Sequence, residues 1–394
     1  MKKNIVWIFL IIAVSLLAIF FIFPKFFGDV VSYKKDNGEV KQEKPPAPIV
    51  PLLPPLDIVA YEKKTNELAN NPPDPIVYQT VKTVTKDKNG KPVTKTTKVP
   101  VSPQPVRTHL WPATAVYPNA GALLPFNRIV AYYGNLSSKS MGVLGQYPED
   151  EMLAKLNVEV EKWNVADPST PAIPALHYIA VVAQGSAGKD GKYRTRMPFS
   201  EIDKVLAIAA KIPARNASGI ADAGGDAVVF LDVQVGFSNL QTEVPLLEKY
   251  LKLPNVHLGV DPEFSMKTGI RPGKVVGTLD ATDINFTAEY LAKIVKENNL
   301  PPKILVVHRY TRKMVTGYKE IKPLPEVQIV MDMDGWGGMS RKIGTYKAFI
   351  YPEPVQFTGF KLFYKNDTLE GSGTLMTPED LLKLNPRPIY IQYQ

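Results

Sequence analysis

The sequence predicts an α/β fold: a (β/α)8 TIM-type barrel over residues 126–394, preceded by one N-terminal transmembrane helix and a proline-rich stalk with a β-hairpin. After residue 126, short β-branched runs alternate with amphipathic segments, which is typical of βα units around a parallel sheet. Eight such runs in about 269 residues agree with the usual size of this barrel, roughly 250 residues. An open, doubly wound sheet is the alternative, because one sequence does not reveal strand order.

A membrane anchor is predicted over residues 1–27. Ile5–Phe23 contains no charged residue, and a helix of this length can cross the bilayer core. Bulky residues close the run where a cleaved signal peptide would have small ones, so we expect an uncleaved anchor. Lys2 and Lys3 favour a cytoplasmic N-terminus, which places the C-terminal domain outside the cytoplasm at the cell membrane. The alternative, a signal peptide that is removed, gives the same outside location.

Residues 28–125 are predicted to form a stalk, because their 16 prolines favour extended polyproline geometry. A β-hairpin is predicted within it, over about residues 76–101. Its two strands, Val77–Lys86 and Val93–Val101, are rich in Val and Thr and flank Asn89-Gly90, a pair suited to a turn with positive φ. The hairpin lysines either attract anionic polymers and lipid headgroups or form a solvated ribbon that discourages edge pairing.

The predicted strands of the barrel are short runs of mostly apolar residues. They are Arg128–Gly134, Leu176–Gln184, Ala227–Gln234, Val256–Glu263, Lys303–His308, Val327–Asp334, Phe357–Tyr364 and Pro388–Gln392. The predicted helices are Glu149–Trp163, Phe199–Lys211, Gln241–Leu251, Ile284–Asn298, Met339–Lys347 and Thr377–Leu384. Ser200 with Asp203, and Thr377 with Asp380, are predicted to cap two of these helices.

Composition excludes several classes of site. The chain has no cysteine, which excludes disulfide frameworks, thiolate metal sites, Cys nucleophiles, iron–sulfur clusters and lipidation at an N-terminal cysteine. The net charge of +9 arises mostly before residue 126, where 16 Lys and Arg face 9 Asp and Glu, against 31 and 29 in the rest. The nearly neutral body argues against nucleic-acid binding.

Acidic and amide side chains recur at the ends of three predicted strands. The pairs are Asp232 with Gln234, Asp261 with Glu263, and Asp332 with Asp334. Because alternate side chains of a strand share one face, both members of each pair are expected to point into the barrel. Three further predicted strands end in Tyr133, Gln184 and His308. Barrel enzymes place their chemistry at the carboxyl ends of the strands, so we predict the site there.

The crowding of these carboxylates favours glycoside hydrolysis. Like charges raise the pKa of one acid, which gives a proton donor beside an ionised base or nucleophile. We assign Glu263 the acid role, with Asp261, Asp232 or Asp334 as its partner. The predicted substrate-binding residues are Tyr133, Gln184, Gln234, His308, Asp332 and Trp336. The expected ligand is a glycan of the cell envelope or extracellular space, and no cofactor is expected.

Aromatic residues at the same strand ends support a carbohydrate ligand, because flat rings stack on sugar faces. They are Tyr132, Tyr133, Tyr310, Trp336 and Tyr364. Trp336 lies in a glycine-rich segment, residues 335–338, which is either a mobile loop over a cleft or a tight turn. His177 and His257 lie inside predicted strands and are expected to be core residues.

Two other functions stay open. Without catalysis, the same acids would hydrogen-bond a sugar in a binding or scaffolding barrel. Alternatively, an oxygen-rich set would hold Mg²⁺, Ca²⁺ or Mn²⁺ in a metal-dependent hydrolase. That set comprises Asp232, Asp261, Glu263, His308, Asp332 and Asp334. The sequence contains neither an H-E-x-x-H nor an EF-hand spacing, so no metal ligand is assigned.

Several segments of the body resemble a family of uncharacterised bacterial secreted or lipid-anchored proteins. The segments are Arg128–Gly134, Met141–Gly145, Leu231–Gln234, Val260–Phe264, Leu305–His308 and Asp332–Gly335. The resemblance covers roughly the whole body and implies a glycoside-hydrolase-like (β/α)8 barrel at the cell surface, without implying a reaction. This chain departs from the lipid-anchored members, because it lacks their cysteine and has the predicted anchor and stalk instead.

Overall fold

The computed structural model describes residues 53–74, 76–102, 108–212 and 227–394. These residues belong to one compact unit that begins at Pro51. The predicted membrane span, Ile5–Phe23, lies outside the described ranges and stays a prediction. Within those ranges, every helix is too short or too polar to cross a membrane.

Strands and helices alternate from residue 128 onwards. The strands are β1 (Tyr78–Lys86), β2 (Pro92–Pro100), β3 (Arg128–Gly134), β4 (Ala172–Ala183), β5 (Arg194–Arg196), β6 (Val228–Val233), β7 (Val256–Val260), β8 (Leu279–Asp280), β9 (Lys303–Arg309), β10 (Val315–Thr316), β11 (Val327–Met333), β12 (Phe357–Leu362) and β13 (Tyr390–Tyr393). The helices are α1 (Ile58–Ala69), α2 (Val143–Gln146), α3 (Glu149–Ala166), α4 (Phe199–Ala209), α5 (Leu240–Glu243), α6 (Glu248–Leu251), α7 (Ala281–Asn298), α8 (Met339–Phe349) and α9 (Pro378–Leu381).

Eight parallel strands close into a barrel, which confirms the predicted TIM-type barrel. β3, β4, β6, β7, β9, β11, β12 and β13 pair in chain order. β13 then pairs with β3, with Tyr390 opposite Ile129, so the sheet has no open edge among these strands. Chain order around a closed parallel sheet is the arrangement of a TIM-type barrel and excludes the open, doubly wound alternative. All eight predicted strands are present, each within a few residues of its predicted bounds.

One predicted strand boundary is wrong at the site. The strand predicted to run to Glu263 ends at Val260, because a short 3-10 helix, Pro262–Phe264, follows it. Pro262 has no N–H for a strand ladder. Asp261 caps the turn, its Oδ1 accepting a hydrogen bond from the backbone N–H of Glu263 at 3.0 Å. The two acids therefore project from a turn instead of alternating along a strand.

Two helix predictions also need correction. The helix predicted over Gln241–Leu251 is divided into α5, a 3-10 turn and α6, because Pro245 lacks the N–H that a continuous helix requires. Ser200 lies inside α4 and does not cap it. The other predicted cap is confirmed, since Thr377 and Asp380 form a reciprocal capping box at α9.

The barrel strands divide their side chains between two apolar layers. In β6, Val229 and Leu231 pack outwards with the helices, whereas Val228 and Phe230 pack inside the barrel. Asp232 continues the inner face towards the carboxyl end of the strand and is fully buried. The alternation of side chains along a strand thus carries the acid into the barrel interior.

A helix that the sequence analysis did not predict, α1, packs at the amino ends of the barrel strands. Asp57 caps it by accepting a hydrogen bond from the N–H of Ala60 at 2.9 Å. Tyr61 and Leu68 are buried in the cluster that fills the barrel interior. Prolines lie on both sides of α1 but not within it. The proline content of the whole segment therefore predicted an extended chain where the helix lies. This part of the predicted stalk is therefore helical and packed, not extended.

The predicted hairpin is confirmed. β1 and β2 pair over their whole length, from Tyr78 opposite Pro100 to Lys86 opposite Pro92. Gly90 has a φ of 75° in the turn, a conformation that glycine adopts without strain. Side chains on both faces are exposed, as in a solvated ribbon. Attraction of anionic partners to its lysines stays a prediction.

Candidate active site

A cavity of about 520 Å³ opens at the carboxyl ends of the barrel strands. Another, of about 470 Å³, lies between α1 and the starts of β12 and β13, at the end where barrels of this type carry stability instead of chemistry. The first cavity is lined by Tyr133, Ser140, Met141, Ile179, Ala183, Gln234, Asp261, Glu263, Phe264, Tyr310, Asp334, Gly335, Trp336, Arg341, Thr345, Lys361, Phe363 and Gln394.

Asp261 and Glu263 enter this cavity from the turn after β7. Asp261 is buried and Glu263 is half-buried. The Nε2 amide of Gln234 donates a hydrogen bond to Asp261 Oδ2 at 3.2 Å. The hydroxyl of Tyr310 contacts Glu263 and opposes the rise of its pKa. Each acid is thus held by a polar neighbour from another strand end.

Asp334 provides the third carboxylate, from the loop after β11. Its Oδ1 lies 3.0 Å from Nζ of Lys361, and both side chains are almost completely buried. The same ammonium lies 3.8 Å from the ring centroid of Tyr133, a cation–π contact. Lys361 therefore contacts both an acid and an aromatic ring of the cavity lining, Asp334 and Tyr133.

Tyr133 connects the cavity to a buried polar layer beneath it. Its hydroxyl donates to Asp232 Oδ2 at 2.9 Å and accepts from Gln234 Nε2 at 3.3 Å. Asp232 is fully buried and is not part of the cavity wall. Asp232 is therefore connected to the cavity by its hydrogen bond with Tyr133 and does not line it.

Two histidines surround Asp232 in this layer. His177 Nε2 and His308 Nε2 lie 3.4 Å and 3.5 Å from Asp232 Oδ1. His308 Nδ1 faces Asp332 Oδ2 at 3.2 Å and Asp334 Oδ2 at 3.4 Å. Except for Asp334, every member of this set lies below the cavity wall.

The acids after β7 hold protons more tightly than free carboxylic acids do. Burial raises the pKa of Asp261 well above its ordinary value, against the opposing charge of His308, and the charges of Glu263, Asp232 and Asp334 add to the rise. Burial also raises the pKa of Glu263, with a further contribution from the charge of Asp334. The cavity therefore favours a protonated acid next to the ion pair of Asp334 and Lys361.

In the buried layer, the pKa shifts separate the two histidines. Burial opposes the charge of His308, but the carboxylates of Asp232 and Asp334 outweigh it and raise its pKa well above the ordinary value. Burial lowers the pKa of His177 to about 4. Burial also opposes the charge of Asp232, but His308 and His177 outweigh it and lower the pKa of Asp232. His308 is the charged ring of the two, and His177 is the neutral one.

The predicted site residues fall into three groups. Six of them line the cavity: Tyr133, Gln234, Asp261, Glu263, Asp334 and Trp336. Three lie buried beneath it: Asp232, His308 and Asp332. Gln184 belongs to neither group: it follows the end of β4 at Ala183 and does not line the cavity. Its backbone N–H instead donates to the carbonyl of Tyr193 at 2.8 Å.

The predicted aromatic residues also divide. Tyr133, Tyr310 and Trp336 line the cavity, and Trp336 is 49% exposed at its edge. Tyr132 and Tyr364 point away from it and contact each other, with their hydroxyls 3.1 Å apart. Neighbouring strand residues point to opposite faces, so Tyr132 and Tyr133 are in different layers.

The sequence analysis did not identify Lys361 or the contact of His177 with Asp232. Lys361 lies inside a predicted strand, where nothing separated an inward lysine from a solvated one. His177 was expected to be a core residue and is completely buried, but it also faces Asp232. The signal available for both was their place on the inward face of a strand. The oxygen-rich metal set is also not assembled as predicted, because among the described residues the group that could hold an ion is His177, Asp232 and His308.

Glycines make room for the two buried aspartates. Asp232 is paired with Gly259 on the next strand, and Asp332 is paired with Gly359. A Cβ at Gly259 would lie 2.4 Å from His177 Nε2 and 2.5 Å from Asp232 Oδ1. A Cβ at Gly359 would lie 2.5 Å from Asp332 Oδ1. A side chain at either glycine therefore collides with the polar layer.

We expect Gly259→Ala to lower the free energy of unfolding by about 1–3 kcal/mol, the usual cost of overpacking a core. Urea unfolding monitored by circular dichroism measures the change. Gly344→Ala is the control, because Gly344 lies in α8 with nothing within 4 Å of the added Cβ. It should raise stability by about 1 kcal/mol through helix propensity. Equal behaviour of the two variants would contradict the close packing described here.

Comparisons with known proteins identify neither a family nor a function for this chain. No family model matches the chain, and no curated protein matches it significantly. A solved structure described as a ruminal GH26 endo-beta-1,4-mannanase matches with 11% sequence identity and a TM-score of 0.31. The match covers 68% of this chain and 58% of that chain, so it spans less than two thirds of the mannanase. The barrel assignment accordingly rests on the strand pairing itself.

Proposed function

We propose that this barrel is a glycoside hydrolase that acts on a glycan in the cavity at the carboxyl ends of its strands. One observation carries the proposal: Asp261, Glu263 and Asp334 come from two distant parts of the chain and line one cavity. Glycosidases need a proton donor and an ionised carboxylate on either side of the scissile bond. The raised pKa of Glu263 and the ion pair of Asp334 supply two such groups.

In the proposed mechanism, Glu263 protonates the leaving oxygen of the glycoside. Its half-buried position and its contact with Tyr310 keep the acid oriented within the cavity. Asp334 acts as the base or nucleophile, because it lines the cavity as an ion pair with Lys361. Asp232, the other partner considered from sequence, supports the site indirectly through Tyr133.

Aromatic side chains supply the walls for a sugar. Tyr310, Trp336, Phe264 and Phe363 line the same cavity as the acids. Rings of this kind pack against the apolar faces of sugars while the acids contact their hydroxyl groups. This mixture of rings and carboxylates favours a neutral glycan as the ligand.

A binding barrel without turnover is the second candidate. This candidate is favoured because two of the carboxylates already form an ion pair or hydrogen bonds within the protein. Asp334 is paired with Lys361, and Asp261 accepts hydrogen bonds from Gln234 and from the N–H of Glu263. Carboxylates held in this way can orient a sugar without reacting with it.

Turnover of polysaccharides separates these two functions. The purified full chain in detergent is incubated with a panel of envelope and plant polysaccharides, and new reducing ends and bound glycan are measured. Hydrolysis that is lost in Asp334→Asn but kept in Glu289→Gln, an exposed position on α7, supports the enzyme. Saturable binding without new reducing ends supports the binding barrel. Absence of both on every polymer would refute a glycan function.

Trp336→Ala is expected to raise KM, or the Kd of a bound glycan, by roughly tenfold, equivalent to about 1.4 kcal/mol. The reason is that Trp336 is half exposed at the cavity edge, where its ring, with Arg341 5.8 Å from the centroid, can pack against a sugar. Trp336→Phe keeps an aromatic face and should lose less. Thermal unfolding should shift little in either variant, and an unchanged KM would exclude Trp336 from the binding surface.

The pH dependence of kcat/KM should show a basic limb set by Glu263. The general acid acts only when protonated, so activity falls as the pH rises through its pKa, which burial places above the ordinary value. Glu263→Asp keeps a carboxylic acid and should keep a basic limb, whereas Glu263→Gln should remove it. A basic limb that is unchanged in Glu263→Gln would assign the proton to another group.

The proposal includes display of the barrel at a membrane surface. It draws on the uncharged run Ile5–Phe23 and on the two lysines before it. Flotation of the full chain with liposomes, compared with a chain that begins at residue 28, tests the anchor. Flotation of both chains, or of neither, would contradict an anchor in residues 1–27.

A further inference from the structure

Three ligand-type atoms converge inside the barrel beneath the cavity. They are Nε2 of His177, Nε2 of His308 and Oδ1 of Asp232, and all lie within 4.8 Å of one another. Asp232 Oδ1 is 3.4 Å from the nitrogen of His177 and 3.5 Å from that of His308. The three side chains come from β4, β6 and β9, so neighbouring and nearby strands of a rigid sheet fix their separation.

None of these three atoms has a hydrogen-bond partner of good geometry, although their residues are completely buried. Buried polar atoms are rarely left in this state, because burial removes their bonds to water without a replacement. The three atoms face one another at ion-pair distances but without a hydrogen bond between them, and an ion bound by all three would satisfy each of them.

The second polar atom of each side chain is already engaged. His308 Nδ1 lies 3.2 Å from Asp332 Oδ2, and His177 Nδ1 lies 2.6 Å from the hydroxyl of Tyr390. Asp232 Oδ2 accepts from Tyr133 at 2.9 Å. Outer contacts of this kind fix the tautomer and orientation of metal-bound histidines, with Nδ1 donating outwards and Nε2 free to bind.

We propose that His177, Asp232 and His308 bind one Zn²⁺-like divalent transition-metal ion. In a tetrahedral zinc site with bond lengths of about 2.0–2.1 Å, neighbouring ligand atoms are about 3.3 Å apart, which matches two of the separations here. Two imidazoles and one carboxylate are ligands that zinc, iron and manganese accept.

This ion has a positioning role and does not meet the glycan. None of its three ligands lines the cavity. Its ligands Asp232 and His308 contact Tyr133 and Asp334, and both of these residues line the cavity. The ion therefore holds the cavity side chains in position from below. The inference is independent of the proposed hydrolysis, since its tests measure metal and not turnover.

The test measures metal content of the full chain purified in detergent from cells grown with Zn²⁺ or with Co²⁺. We expect about one ion per chain after dialysis, since histidine and carboxylate ligands hold zinc in a closed site. The cobalt form should show the intense visible absorption of a four-coordinate ion. The metal is removed with a chelator under mildly denaturing conditions, and the chain is then refolded without metal. The Tm of this metal-free chain should be lower than that of the metal-bound chain, and added Zn²⁺ should restore it.

Substitution of the ligands supplies the second arm. His177→Gln and His308→Gln should each reduce bound metal at least tenfold. His257→Gln is the matched control, because His257 is also fully buried in the barrel but lies outside the three-residue group. It should keep the metal content of the parent.

Two results would overturn the proposal. One is a parent chain that holds no Zn²⁺ or Co²⁺ under any growth condition. The other is a folded His177→Gln chain with full metal content. If the histidine variants fail to fold, the cobalt spectrum of the parent decides, because a six-coordinate or absent spectrum rules out this ligand set.

Discussion

Glu263→Gln is expected to lower kcat/KM on an oligosaccharide by about 10²–10⁴-fold, the usual contribution of a general acid. The amide has the size of the acid but has no proton to give to the leaving oxygen. The contact with Tyr310 and the position after β7 can be kept by the amide, so folding should not change. Steady-state rates on the best substrate of the polysaccharide panel measure the effect.

The leaving group gives this prediction its specificity. An aryl glycoside with a very acidic phenol needs no protonation, so Glu263→Gln should cleave it almost as fast as the parent does. Asp334→Asn should cleave neither substrate, because the base or nucleophile that attacks the sugar is missing. Glu289→Gln on the surface of α7 should behave as the parent. An equal loss on both substrates in Glu263→Gln would remove the acid role from Glu263.

Glu243→Gln is expected to lower the free energy of unfolding by about 3 kcal/mol, the lower range for removing one partner of a buried ion pair. Glu243 on α5 is fully buried and accepts hydrogen bonds from Arg194 at 2.9 Å and from Arg196 at 2.7 Å. Both arginines belong to β5, which folds back on β4. The substitution leaves the guanidinium of Arg194 with only Asp190 as a charged partner.

The pH dependence of this loss follows from the pKa of Glu243. Burial would raise that pKa, but the hydrogen bonds from Arg196, Ser238 and Arg194 outweigh it and lower it below 4.5. The stabilisation is therefore complete above the unfolded-state pKa and is lost as pH falls through the folded-state value. Urea unfolding of parent and variant should thus converge in acid.

Glu297→Gln is the control for Glu243→Gln. Glu297 pairs with Lys293 on the surface of α7 at 3.8 Å, with both side chains more than half exposed. Exposed pairs contribute less than about 1 kcal/mol. A loss in Glu297→Gln as large as that in Glu243→Gln would mean that burial does not decide the strength of these pairs.

The barrel could be predicted from sequence because its strands carry a strong local signal. β-branched runs at regular spacing locate them, and β3 has the predicted bounds. Alternation along these strands also placed Asp232 and Asp332 on the inner face. α1 escaped prediction because the flanking prolines dominate the composition, while its stability comes from packing of Tyr61 and Leu68 on a surface distant in sequence.

Depth within the barrel could not be predicted from sequence. Asp232 and Asp334 both lie at strand ends, yet one is below the cavity and the other lines it. The difference depends on the register between strands and on which side chains cover the layer, here Tyr133 and Lys361. The bulge in β4 is likewise a property of its pairing with β6 and could not be predicted from the sequence of β4 alone.

A side chain at Gly259 or Gly359 would need the space that Asp232 or Asp332 fills. Related sequences should therefore change the two positions of each pair together. Alanine at position 259 is compatible with the barrel where residue 232 or residue 177 has become smaller, and the same holds for position 359 with residue 332. In an alignment of relatives, 232 with 259 and 332 with 359 should covary. In the laboratory, the defect of Gly259→Ala should be partly relieved by Asp232→Ala in the same chain.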